Sequence, residues 1–217
     1  MRDMHTIDYN LALLEPLDVH PASSAPRLDL PRTTREKTDR LRRDWKIRRP
    51  YVILHPSSAR REKLWNAARW AEVIEQFGEH DEFDLVLTSG LSVDEQTHIA
   101  EIRKRTRQRF VNLSGKTDLL TLAALIGRAQ LLVTVDSAPV HFAASTQTPQ
   151  VILFGPTNPF HWRPMHSPAL ILHGNSGTPV TDFAPVRPRF QMSEISTEAV
   201  ISAMDSLLPR RAAAHSS

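Results

Sequence analysis

Short apolar runs alternate with amphipathic segments from Tyr51 onward, and this alternation constrains the fold more than any other feature of the sequence. Runs of four or five apolar residues rich in β-branched side chains are typical of buried strands. The predicted strands are 51–55, 84–88, 110–113, 131–135, 151–154 and 169–172. The predicted helices are 67–77, 93–105, 119–126, one that begins near Ser137 or Ala138, and 197–208. This order predicts an α/β fold: a doubly wound parallel sheet, Rossmann-like, over residues 50–208.

The segments that flank the predicted sheet have a different character. Residues 5–18 have a helical pattern, residues 20–31 are rich in proline and suggest a linker, and residues 33–45 predict a charged helix. We therefore expect residues 1–49 to form an interdomain helix, a linker and a charged helix that pack loosely as an appendage. The tail, 209–217, is predicted to be disordered.

Composition excludes several classes of protein. The chain has no cysteine, so disulfides and thiolate metal sites are excluded, and a reducing cytoplasm is the expected location. No apolar run approaches the roughly 18 residues of a membrane span. Basic residues are concentrated in 32–49 and 103–109. Such runs are either solvated helix faces or contacts for anionic lipid headgroups or phosphates. No recognition-helix pattern accompanies them, so nucleic acid is not an expected partner.

Polar side chains follow two of the predicted strands. In a sheet with the order 3-2-1-4-5-6, the ligand crevice lies where the first and fourth strands meet. Ser57, Ser58 and Lys63 follow the first strand, and Asp136 and Ser137 follow the fourth. Hydroxyls, an ammonium group and a helix N-terminus all bind phosphate oxygens, so the sequence predicts a phosphate site at this crevice.

Other interpretations of these residues remain open. Lys63 could be a solvated surface lysine, and Asp136 could cap the helix, bind a hydroxyl or order the loop. His141 is as consistent with packing or capping as with ligand contact. Thr157 and Asn158 follow the fifth strand and are candidates for the rim of the crevice. No glycine-rich phosphate loop is present, and no second carboxylate or histidine stands at metal-ligand spacing, so no metal site is expected.

An ordered set of motifs carries a family resemblance. The motifs are Ser57-Ser58, Lys63-x-Trp65, Asp136-Ser137-x-Pro139-x-His141-x-Ala143-Ala144, Phe154-Gly155-Pro156-Thr157 and Ser193-x-Ile195-Ser196-x-Glu198-x-Val200. In this order and at this spacing the set resembles glycosyltransferase family 9, the heptosyltransferases that build the inner core of bacterial lipopolysaccharide. The resemblance extends from about residue 5 to residue 208.

The resemblance implies a fold and a site. The family has two Rossmann-like domains in the GT-B arrangement, and this chain resembles the C-terminal domain, which holds the nucleotide-sugar donor. By resemblance the donor-binding residues are Ser57, Ser58, Lys63, Asp136, Ser137, the backbone at Ala138, and His141 behind them. No catalytic residue is expected in this chain, because the family's catalytic base lies in the N-terminal domain. That domain, as a missing partner, is also expected to hold most of the acceptor site.

The resemblance also implies a reaction. We expect inverting transfer of heptose from ADP-heptose, the donor substrate, to a lipid-linked saccharide acceptor, with no cofactor. The chain alone is expected to be inactive and to lie in the cytoplasm, with peripheral contact at the inner face of the inner membrane. The alternatives are a non-catalytic nucleotide-sugar-binding module and a family member that acts on another sugar and acceptor. Ala138 stands where the family usually has glycine, which weakens donor binding if that position needs positive φ or a very close approach of the diphosphate.

Overall fold

Six parallel strands form one sheet in the order β3-β2-β1-β4-β5-β6. The structure is a computed structural model that describes residues 3–21, 23–79 and 82–208. The strands are β1 (Tyr51–His55), β2 (Asp84–Leu87), β3 (Val111–Asn112), β4 (Leu131–Val135), β5 (Gln150–Phe154) and β6 (Ala169–His173). The predicted fold class is confirmed, and the strand order is the one assumed in locating the crevice. The predicted tail, 209–217, lies outside the described residues.

The helices surround this sheet. They are α1 (Thr6–Ala12), α2 (Arg32–Asp44), α3 (Ala67–Gly78), α4 (Val93–Arg105), α5 (Leu119–Ile126), α6 (Pro139–Thr146), α7 (Pro159–Trp162) and α8 (Thr197–Leu207). The helix predicted over 5–18 ends at Ala12, because Pro16 has no N–H to donate to the carbonyl of that residue. None of the helices that the structure describes combines the length and apolar character of a bilayer crossing.

Both faces of the sheet are covered. Side chains on the central strands alternate between two cores, so that Val52 and Leu54 face one core while Tyr51 and Ile53 face the other. The first core is completed by α3, α4 and α8, and the second by α2, α5 and α6. Every residue of β1, β4 and β5 is buried, as expected for parallel strands between two helical layers.

The charged helix α2 is part of this packing. Thr38 is fully buried, and its hydroxyl donates to the carbonyl of Thr34. Asp39 pairs with Arg128, and Ile47, just after the helix, is buried in the second core. The expectation that residues 1–49 pack loosely is therefore wrong for α2, whose short polar side chains fit against α5. The division of the chain into an appendage, a domain and a tail stays a prediction.

The central strands should dominate the stability of the fold. Leu132 is fully buried in β4, so Leu132→Ala should lower the free energy of unfolding by about 2–5 kcal/mol through lost burial and a residual cavity. Leu91→Ala is the matched control, since this side chain is 77% exposed and its loss should change stability by less than about 0.5 kcal/mol. Urea denaturation of both variants measures the difference, and equal effects would contradict the described core.

Candidate functional site

The pairing of β1 with β4 brings two polar segments together at the carboxyl edge of the sheet. His55 is in register with Thr134, and the Thr134 hydroxyl donates to the His55 carbonyl oxygen at 3.1 Å. Residues 56–65 and 136–138 therefore leave the sheet side by side. The strand order reverses at this point, and open α/β sheets bind their ligands there.

An ion pair joins the two segments. The ammonium nitrogen of Lys63 lies 2.6 Å from Oδ2 of Asp136 and 3.4 Å from its carbonyl oxygen. The Lys63 side chain is only 14% exposed and the Asp136 side chain 9%, so the pair is largely removed from water. Lys63 reaches this position from the short 3₁₀ turn Arg61–Lys63. The Lys63 ammonium is thus a cation within the crevice, and an incoming anion has to compete for it with Asp136.

The two serines after β1 hold the loop in place. Ser57 is fully buried, and its hydroxyl lies 3.3 Å from Nε2 of His55. Ser58 is buried as well, and its hydroxyl accepts a hydrogen bond from the backbone N–H of Arg60 at 3.2 Å. Both hydroxyls therefore have partners within the protein, and they fix the course of the chain that carries Lys63.

A buried histidine underlies these serines. Nδ1 of His55 lies 2.9 Å from the Thr88 hydroxyl, and burial lowers the pKa of His55 to about 4. The imidazole is neutral at neutral pH, so one ring nitrogen donates and the other accepts. Burial alone raises the pKa of Glu95, but hydrogen bonds from Ser92, Ser57 and the backbone of Gly90 lower it overall, so this carboxylate is ionised. The sequence analysis did not predict this group of buried polar residues, although His55, a polar residue at the end of the apolar strand β1, was a signal for it.

The second segment leads directly into α6. The Ser137 hydroxyl donates to the carbonyl of Val135 at 3.2 Å, and Ala138 is the N-cap residue of α6, with no side chain capping the helix. The φ of Ala138 is −51°, so the methyl group causes no backbone strain, and the part of the expected penalty that depends on positive φ does not arise. His141 lies in the first turn of α6, where it is exposed.

Thr157 and Asn158 line a neighbouring cleft of about 610 Å³. The Asn158 amide donates to the carbonyls of Ala184 and Pro185 at 3.0 and 2.9 Å, and its oxygen caps α7. The proline-rich stretch thereby forms one wall of the cleft, which the sequence did not predict. Arginine and glutamate side chains also line the cleft: Arg60, Glu62, Arg187 and Arg189.

The motifs of the resemblance also contact one another. The Trp65 indole N–H donates to the carbonyl of Ile195 at 3.1 Å, which ties the loop after β1 to the segment before α8. Gly155 allows Met192 to approach the end of β5, because a Cβ at this position would lie 2.5 Å from the methionine sulfur. These two contacts hold the walls of the crevice at fixed positions.

Known proteins match this chain over most of its length. Residues 2–181 match the model of glycosyltransferase family 9 (heptosyltransferase). Lipopolysaccharide heptosyltransferase 3 of Escherichia coli K12 is 31% identical over 210 residues, which are 96% of this chain and 61% of that protein. Lipopolysaccharide core heptosyltransferase OpsX of Haemophilus influenzae is 27% identical over 169 residues, which are 73% of this chain and 48% of that protein. The chain spans less than two thirds of the length of these curated relatives.

Solved structures show the same fold. A glycosyl transferase family 9 protein from Veillonella parvula superposes with a TM-score of 0.80 at 26% identity, covering 94% of this chain and 60% of that one. E. coli ADP-heptose LPS heptosyltransferase II superposes with a TM-score of 0.66 at 22% identity, covering 87% of this chain and 55% of that one. At this lower identity the likeness is one of fold alone.

The buried His55 should make stability depend on pH. The pKa of this side chain falls from 6.5 to about 4 on folding, so as the pH is lowered the unfolded chain takes up the proton before the folded chain does. The free energy of unfolding is therefore highest above pH 6.5 and decreases as the pH falls toward 4. The destabilisation caused by His55→Gln should therefore shrink by about 3 kcal/mol between pH 7 and pH 4. Urea titrations across this range measure it. A pH-independent effect of His55→Gln would contradict a neutral, buried imidazole.

The Lys63–Asp136 pair should be strongly coupled. Lys63→Met leaves a carboxylate that is nearly buried and unpaired, so it should lower the free energy of unfolding by about 3–5 kcal/mol, and adding Asp136→Leu should restore much of the loss. Arg32→Met is the control, since its pair with Glu36 is exposed and its removal should change stability by less than about 0.5 kcal/mol. Additive effects at positions 63 and 136 would show that the pair does not form in solution.

Proposed function

Because this chain belongs to glycosyltransferase family 9, we propose that it binds the nucleotide-sugar donor of a sugar-transfer reaction, as the C-terminal half of a GT-B enzyme. In this proposal the whole enzyme transfers heptose from ADP-heptose to the lipopolysaccharide inner core with inversion. The names of the curated relatives support heptose as the sugar and lipopolysaccharide as the acceptor, since they include lipopolysaccharide heptosyltransferase 3 and lipopolysaccharide core heptosyltransferase OpsX.

The observation that carries the proposal is the Lys63–Asp136 pair at the reversal of strand order. A diphosphate suits this place, because the Lys63 ammonium supplies a charge-assisted hydrogen bond and the uncapped start of α6 supplies a positive dipole end. When phosphate oxygens replace the Asp136 carboxylate as the partner of the Lys63 ammonium, that carboxylate is left without the lysine and lies next to the donor. A carboxylate in that position accepts hydrogen bonds from sugar hydroxyls, which gives each partner of the pair a role in the donor complex.

The contribution of this half to catalysis is electrostatic. In inverting transfer an acceptor hydroxyl, deprotonated by a carboxylate, attacks the anomeric carbon while the nucleoside diphosphate leaves. Negative charge builds on the leaving phosphates, and Lys63 with the α6 N-terminus stabilises it where it develops. The base and the contacts to the lipid-linked acceptor belong to the other half, so the isolated chain binds donor without appreciable transfer.

The proposal predicts how ADP binds. Calorimetry on the 217-residue chain should show an affinity that falls as salt is added. Lys63→Ala should weaken binding about tenfold to a hundredfold, because it removes a charge-assisted hydrogen bond. Asp136→Asn should bind ADP as tightly as the parent or more tightly, since it removes the competing carboxylate. Lys104→Ala is the matched control: this lysine is exposed at the end of α4, on the opposite edge of the sheet.

Two outcomes would contradict the assignment. If Lys63→Ala bound ADP as tightly as the parent, the diphosphate would not lie at the junction of β1 and β4. If Arg187→Gln abolished binding while Lys63→Ala did not, the nucleotide would lie instead in the neighbouring cleft. Circular dichroism and Lys63→Arg, which keeps the charge, separate lost binding from lost folding. Ala138→Gly should leave the affinity unchanged, because φ is already negative there, or raise it if the methyl group crowds the phosphate.

A further inference from the structure

The cleft beside the Lys63–Asp136 pair contains arginine side chains that the donor site does not use. Its volume is about 610 Å³, and its lining includes Arg60, Arg187 and Arg189. Arg60 lies in the same loop after β1 as Lys63. Arg187 and Arg189 belong to the proline-rich stretch that forms another wall. A ligand in this cleft would therefore lie next to a ligand in the crevice.

The guanidinium groups of the cleft are not neutralised by buried carboxylates. Arg60 pairs with Glu62 at 2.7 Å, but both side chains are exposed, and such a pair contributes little to stability. Arg187 donates to the carbonyl oxygen of Asp182, whose carboxylate lies 3.4 Å away and is 91% exposed. Within the described ranges, Arg189 forms no ion pair. These groups can therefore form charge-assisted hydrogen bonds with an incoming anion.

The wall that carries Arg187 and Arg189 has a fixed course. The side-chain amide of Asn158 holds two carbonyl groups at the start of this wall, at 3.0 and 2.9 Å. Pro188 restricts the preceding Arg187 to an extended backbone, and Pro185 fixes its own φ. The Arg187 side chain is only 19% exposed, so it is held against this wall. A cation that is positioned in advance loses less entropy when its anion binds.

The cleft also contains groups that bind hydroxyls. The carboxylates of Asp3 and Glu62 line it, and so does the Thr157 hydroxyl. His161 lines it as well, and its Nδ1 donates to the carbonyl oxygen of Met4 at 3.0 Å, which leaves Nε2 of the neutral ring as an acceptor. Carboxylates and imidazole accept hydrogen bonds from sugar hydroxyls, whereas guanidinium groups bind acidic groups. A sugar that carries an acidic group matches both sets.

From these observations we propose that the cleft binds an acidic saccharide, and that a phosphate or carboxylate of this saccharide contacts Arg187 and Arg189. Guanidinium groups bind both of these anions through paired hydrogen bonds. The inference rests on the proposed function, because a saccharide held beside the donor is the acceptor of the transfer. This half then adds one acceptor contact to those of the other half, and it selects the acceptor by charge.

NMR titration of the full chain, saturated with ADP, tests the proposal. ADP occupies Lys63, so an added anion reports on the cleft. Glucose 6-phosphate and glucuronate are the probes for a phosphate and a carboxylate, and glucose is the uncharged reference. At least one acidic sugar should shift the amide signals of Thr157, Asn158 and Arg189, with an affinity that falls as salt is added, while glucose should shift none of them. The acidic sugar that binds more tightly identifies the group that the cleft prefers.

A pair of double variants tests the arginines. Arg187→Gln with Arg189→Gln should weaken binding of the acidic sugar more than tenfold, because it removes two charged hydrogen-bond donors. Arg103→Gln with Arg107→Gln is the matched control, since it removes the same charge from exposed side chains at the opposite edge of the sheet and should change binding little. Both double variants should bind ADP as tightly as the parent, which shows that they remain folded.

Lys63→Ala separates the two sites. It should bind ADP weakly and still bind the acidic sugar, because the arginines of the cleft are unchanged. The proposal would be overturned if neither acidic sugar bound the parent, or if Arg187→Gln with Arg189→Gln bound it as tightly as the parent. Loss of the acidic sugar in Lys63→Ala alone would also overturn it, since the anion would then lie in the donor crevice. Acidic-sugar binding through the arginines without any ADP binding would instead contradict the proposed function.

Discussion

The pairing of β1 with β4 is the constraint on which the candidate site depends. These strands are neighbours in the sheet but distant in sequence, so the loops that follow them leave the sheet from the same edge. In both loops the first residues include polar side chains. The hydrogen bond from the Thr134 hydroxyl to the His55 carbonyl locks the last rung of this pairing. Lys63 and Asp136 meet as a result of that register, since a shift by one residue would turn every strand side chain to the opposite face.

Beneath the ion pair lies a second layer of polar groups whose role is support. His55 is neutral because a charged imidazole would be too costly to bury, and hydroxyls on both sides satisfy its ring nitrogens. Ser57 hydrogen-bonds with this histidine, so the loop that carries Lys63 rests on a satisfied network. Rigid support of this kind places a cation before its anion arrives, which lowers the entropy lost on binding.

Sequence reasoning performed well wherever a local pattern decides the structure. The bounds of β1, β4, α4 and α5 were predicted correctly, because apolar runs and capping residues mark both ends of these elements. It performed less well where partners are chosen over long range. Lys63 and Asp136 were both predicted at the crevice, but each as a separate ligand for the donor and not as a pair. The wall formed by the proline-rich stretch depends on Asn158, and no local pattern connects the two.

The strand order has a consequence for how the protein assembles. Strands β1 to β3 pair with near neighbours in the chain, and so do β4 to β6, whereas the pairing of β1 with β4 closes the longest loop in the sheet. Loop-closure entropy makes that step the slower one to form, so two three-stranded halves can organise before they join. The crevice exists only after they have joined. A ligand of the crevice therefore does not bind an intermediate in which the two halves are still separate. Its whole binding free energy adds to the free energy of unfolding of the complete sheet.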